Sequence, residues 1–295
     1  MDRTRNGLVD TLRFASAIVI VCFHARVIGP EMVAVAMAIF TLFLTYFSAR
    51  NPRARSLAEV TSVRASRLLK PFVFWAALSV FLIAADALNK GIPIDTDLKA
   101  WFPPQGTFAQ LWFLPFAFGL TMVIELGTRI TDSRPGHVTS LGLAAVGSVL
   151  WMPFWSYLAL PNGLEVFGAY LPSVFFALAL AARPDRKEWA LTVIAASIFC
   201  AGLLEWMGFE AAFQLGLGVP LAVYAVTFAG PTSHRSRWMS GISMPIYLTH
   251  TIVLAVLVHS TRLGSGSILL ALLTILGAIF LSMCLLSTRI GREVV

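Results

Sequence analysis

The sequence predicts an all-α, polytopic integral membrane helix bundle of about ten transmembrane helices, with both termini in the cytoplasm. Three observations predict it. The 295 residues are 58% hydrophobic and 13% charged, with a mean hydropathy of +0.79; soluble domains are roughly 45–50% apolar and about 25% charged. About ten apolar stretches approach the roughly 20 residues that a bilayer-spanning helix needs. Basic residues are concentrated in alternate loops. The length accommodates one membrane domain, residues 1–295, without a second soluble one.

The stretches fall near 8–28, 31–49, 68–88, 108–128, 138–157, 164–182, 188–206, 210–230, 239–260 and 266–288. The first follows Arg3 and Arg5 as a signal peptide would, but it is too long and has no small-x-small cleavage site, so it reads as an uncleaved first helix. Pro172 and Pro220 interrupt the sixth and eighth. A helix in lipid tolerates proline when neighbouring groups satisfy the freed backbone. Cys22, Cys200 and Cys284 all lie inside apolar runs and read as small apolar residues. No metal-ligand spacing such as C-x-x-C or H-E-x-x-H occurs.

Charge sets the orientation. Seventeen of the 22 Lys and Arg fall at the N-terminus, in alternate loops or at the C-terminus. The intervening loops hold Arg26, Lys90, Lys99 and Arg262. By the positive-inside rule the rich side is cytoplasmic. Both termini then lie inside, which requires an even number of spans. The longest outer loop, about 89–107, holds Trp101 and Phe102. They read as interfacial anchors or as a cover over a substrate entrance.

His24 lies in the first span. An ionisable side chain at membrane depth is costly and is a functional candidate by default. Sixteen residues beyond Leu8, it has risen about 24 Å and lies nearer the outer face. A proton acceptor with an ordinary pKa near 6.5 suits acid–base work; a histidine hydrogen-bonded inside the bundle is the alternative. Asp10 and Arg13 share a face at the inner end of the same helix and can pair, and Arg13 can also help to hold a phosphate.

Arg64, Arg67 and Lys70 follow i, i+3, i+6 spacing, which lines one face if the stretch is α-helical. Guanidinium forks bind phosphate oxygens bidentately, although basic residues at a cytoplasmic helix end also set topology or touch anionic lipid. His250 is a second polar group at membrane depth, with Tyr247 one turn before it; both suit hydrogen bonding between helices.

Four segments in order resemble the acyltransferase 3 family of integral membrane acyltransferases. They are Asp10-Thr11-Leu12-Arg13 followed by His24; Arg64-x-x-Arg67; Leu111-Trp112-Phe113-Leu114-Pro115; and Ile246-Tyr247-Leu248-Thr249-His250. Two departures stand out: the second span lacks the family's Ser-Gly pair, and no glutamate follows closely after Trp112.

The resemblance implies a multi-pass enzyme of the bacterial inner membrane. It would move an acyl group, usually acetyl from acetyl-CoA or another acyl-CoA donor, to a hydroxyl of a surface or secreted polysaccharide. His24 would be catalytic. Arg64 and Arg67, with Arg13 and Lys70, would hold the donor. Asp10, Trp112, Tyr247 and His250 are substrate or structural candidates. The implied partners are membrane lipid, a glycan acceptor and polysaccharide biosynthesis proteins, with no nucleic acid and no metal. Two other readings stand beside this one: a transporter or flippase for a saccharide or small metabolite, and a non-catalytic subunit of a polysaccharide assembly system. The lack of an internal repeat argues against the transporter.

Overall fold

The structure, a computed structural model, describes residues 6–50, 56–90, 109–130, 137–158, 168–228, 232–261, 263–289 and 291–295. Trp101, Phe102, Arg3, Arg5, Arg53, Arg55, Lys99, Arg134 and Arg262 lie outside them. The elements in order are α1 (Gly7–His24), α2 (Pro30–Arg50), α3 (Leu57–Arg64), a π-helical turn (Ala65–Leu69) and α4 (Lys70–Lys90). A 3₁₀ turn (Ala109–Trp112) then leads into α5 (Phe113–Ile130), followed by α6 (His137–Tyr157), α7 (Leu171–Ala182) and α8 (Lys187–Trp206). A second π-turn (Gln214–Gly218) precedes α9 (Val219–Phe228), α10 (His234–Ser260), α11 (Ile268–Ser287) and the short α12 (Gly291–Val294). Among the described residues there is no strand.

A helix covers most of each predicted stretch. Seven helical stretches among the described residues are long and apolar enough to cross a membrane, and Leu171–Ala182 and Gln214–Phe228 are shorter apolar helices. Two boundaries differ from expectation. The first helix ends at His24 instead of near residue 28. Arg26 takes a left-handed backbone, φ 60°, and its N–H bonds to the Phe23 carbonyl while that of Val27 bonds to Cys22. This pair of bonds reverses the chain and stops the helix. The third helix begins eleven residues early, because the Ser56 hydroxyl accepts from the Glu59 N–H at 3.2 Å and caps a new first turn.

Helix α2 lies at the centre. One of its faces, with Leu42, Phe43 and Tyr46, packs on α7, in a core shared by Phe176 and Leu180 of α7 and Val193 and Leu204 of α8. Ala36 and Met37 join a second core with Trp75, Leu111 to Leu114, Tyr247 and Leu248. A third core sets Ala17 and Val21 of α1 against Ile242 and Ile246 of α10 and Ala278 of α11. Between lipid-embedded helices, close packing and interhelical hydrogen bonds supply the attraction. The glycine that the second span lacks has a counterpart on the facing segment. A Cβ on Gly218 would sit 2.7 Å from the Ala38 Cβ and 3.0 Å from the Val35 carbonyl oxygen, so α2 and the second π-turn meet backbone to backbone. Leu143 and Leu150 on α6 and Leu276 and Phe280 on α11 are exposed, as side chains solvated by acyl tails would be.

Candidate active site

The third core positions the first candidate. Because α1 and α10 pack along their lengths, His24 at the end of α1 meets His250 of α10, with ring centres 5.1 Å apart. The turn after His24 is held from outside by the Gly266 N–H, which donates to the Ala25 carbonyl at 2.8 Å. His250 is fully buried, and its Nδ1 lies 3.2 Å from the Ile246 carbonyl oxygen. A carbonyl can only accept, so in the neutral ring the proton is on Nδ1 and the lone pair on Nε2. That buried Nε2 has no hydrogen-bond partner among the described residues. Tyr247 is also buried, its ring 6.1 Å from Phe113, 6.2 Å from His250 and 6.5 Å from Phe40.

A cavity of about 230 Å³ lies below this group, lined by Arg13, Phe40, Leu44, Leu68, Phe113 and Tyr247 among others. Arg13 and His24 are eleven residues apart on α1, about three turns, and so share a face some 16 Å apart along the axis. The guanidinium of Arg13 lies over the rings of Phe43 and Phe47, 5.6 and 5.5 Å from their centres. This cation–π seat keeps a positive charge at the cavity wall within a mostly apolar setting. Asp10 is buried one turn earlier. Trp112 is buried and stacks on Tyr170, with centres 6.0 Å apart and planes 13° apart. Sequence reasoning missed Tyr170; its one signal was its place at the mouth of an apolar run.

The expected basic face does not form. A π-turn advances less angle per residue than an α-helix, so Ala65–Leu69 splays Arg64, Arg67 and Lys70 apart. Arg64 turns towards α5, where it donates to the Thr121 carbonyl and pairs with Glu125 at 3.5 Å. Arg129 closes on the same carboxylate at 2.8 Å. Lys70 turns towards α12 and pairs with Glu293. Arg67 is exposed and has no ion-pair partner among the described residues. Glu125 is thus the buried hub for two arginines. Its i, i+4 relation to Arg129 inside an apolar run was the signal that could have found it.

These groups can together orient a hydroxyl beside a base and offer positive charge at the far end of a cavity. Among the described residues, no group of three or more His, Cys, Asp or Glu could hold a metal ion. No curated protein and no solved structure matches the chain. The family model described as "Acyltransferase domain", that of acyltransferase 3, matches residues 6–287, and it does so on a helical bundle in which the half-buried His24 meets the buried His250 above an arginine-walled cavity. The chain therefore belongs to the acyltransferase 3 family and is a multi-pass membrane acyltransferase.

Proposed function

We propose that this protein transfers an acyl group, acetyl in the first instance, from acyl-CoA on the cytoplasmic side of a bacterial inner membrane to a saccharide hydroxyl on the other side. The carrying observation is the cavity that runs from Arg13 to Tyr247, one turn from the His24–His250 pair. A narrow, mostly apolar cavity suits the pantetheine arm of CoA. Arg13 at its wall, and Arg67 near Leu68, suit the phosphates. The basic helix ends would face the cytoplasm under the positive-inside rule, with ten spans and both termini inside.

In this reading His24 acts as general base. The acceptor oxygen attacks the thioester carbonyl carbon as His24 takes the hydroxyl proton. The C–O bond forms, the C–S bond breaks, and the proton passes from His24 to the departing CoA sulfur. Acid–base assistance of this kind contributes roughly 10²–10⁴-fold. The developing oxyanion needs a hydrogen-bond donor, and the hydroxyl of Tyr247, whose ring lies 6.2 Å from that of His250 and lines the cavity, is the candidate. Family membership favours this reading over a transporter, and the histidine pair favours it over a non-catalytic subunit.

The test uses purified protein in nanodiscs with radiolabelled acetyl-CoA and a periplasmic glycan extract, following CoA release and label incorporation. Transfer that His24→Ala abolishes in a folded protein supports the assignment. Transfer at the wild-type rate by His24→Ala sinks it.

A further inference from the structure

Resting on the acyltransferase reading, we infer that His250 is a positioning residue: its Nε2 accepts a hydrogen bond from His24 and fixes which His24 nitrogen is the base. Three observations meet at this point. His250 Nδ1 faces the Ile246 carbonyl at 3.2 Å, which leaves the lone pair on Nε2. That nitrogen is fully buried and has no hydrogen-bond partner among the described residues. An unmet buried acceptor is costly, so a nearby donor that can turn towards it will do so. His24 is the nearer of the two rings in contact with His250, at 5.1 Å against 6.2 Å for Tyr247. At that separation, ring rotation alone brings two imidazole nitrogens to hydrogen-bonding distance.

The consequence concerns the tautomer. A neutral imidazole carries one N–H and one lone pair. When the N–H of His24 is committed to His250, its other nitrogen presents the lone pair to the acceptor hydroxyl. During transfer His24 holds two protons, and the hydrogen bond to His250 persists. In soluble hydrolases a carboxylate orients the histidine. At membrane depth a carboxylate is expensive, and a second imidazole supplies the acceptor without a charge. No proton need move onto His250.

The experiment is solid-state NMR of histidine-selectively ¹⁵N-labelled protein in nanodiscs, with His24 and His250 identified by His24→Gln and His250→Phe, alongside turnover of acetyl-CoA with the glycan extract. In wild type, each of the two histidines should show one protonated and one bare nitrogen, with Nδ1 of His250 protonated and a His24–His250 correlation across the hydrogen bond. In His250→Phe, His24 should divide between two tautomers, and kcat should fall about 10²-fold with KM for acetyl-CoA unchanged. His250→Gln keeps an acceptor oxygen and should recover most of the rate. The proposal is overturned if His24 keeps one tautomer in His250→Phe, or if the bare nitrogen of His250 is Nδ1. Should His250→Phe fail to fold, the wild-type spectrum and the glutamine variant decide. The spectra require no turnover, so a wild type inert towards acetyl-CoA would refute the acyltransferase reading and leave the hydrogen bond standing or falling on its own signal.

Discussion

The two ends of the bundle treat polar side chains in opposite ways. At the end where α2 finishes and α4 begins, cations meet carboxylates: Arg50 with Asp185, Arg64 and Arg129 with Glu125, Lys70 with Glu293. At the other end His24, His250 and Tyr247 sit among aromatic rings, the two imidazoles 5.1 Å apart. The difference teaches that charge does structural work at the first end, while hydrogen-bond direction governs the second. It also separates the arginines. Arg64 is committed to Glu125 and the Thr121 carbonyl, whereas Arg67 is exposed and has no ion-pair partner among the described residues.

The largest effect should come from the histidine end. His24→Ala should cut acyl transfer by about 10²–10⁴-fold while leaving the melting temperature and CoA binding in place. CoA release against label incorporation measures this directly. Next is Glu125→Ala, which strands Arg64 and Arg129. It should cost about 2 kcal/mol of stability, less than the roughly 3–5 kcal/mol of a fully buried pair because Arg129 is partly exposed. Arg64→Gln should likewise lower the melting temperature and leave KM for acetyl-CoA unchanged. A raised KM with an unchanged melting temperature would break the comparison, because Arg64 would then be a ligand group.

Arg67→Gln should do the reverse. Loss of one charge-assisted hydrogen bond, about 1.4 kcal/mol, should raise KM about tenfold with no change in melting temperature. The smallest effect belongs to Glu293, whose carboxyl is held below its ordinary range by the hydrogen bond and charge of Lys70. A group with a depressed folded pKa contributes stability above its unfolded value and loses it as pH falls through the folded one. Wild type should therefore lose this contribution only below about pH 4, and Glu293→Gln should remove it at neutral pH. Since the pair is exposed, the shift in melting temperature should be small. Melting curves at neutral and acid pH compare the two.

The helices were legible because lipid leaves the backbone few options: long apolar runs must become helices. Their ends were less so. Residues 25–28 are apolar enough to continue α1, yet the chain turns at Arg26. The Arg64–Arg67–Lys70 face failed because nothing in ASRLL announces a π-turn. Both histidines were visible in the sequence, but their meeting depends on the register between α1 and α10, which the packing of Ala17 and Val21 against Ile242 and Ile246 sets. The Glu125 hub required a partner 61 residues away.

Arg26 offers an engineering opportunity. It holds a left-handed backbone, φ 60°, two residues beyond His24. A side-chain-bearing residue in that conformation costs roughly 1–2 kcal/mol, which glycine escapes. Arg26 lines neither the cavity nor the histidine pair. Arg26→Gly should therefore yield a sturdier protein with unaltered chemistry, a useful starting material for keeping this membrane enzyme intact through detergent extraction.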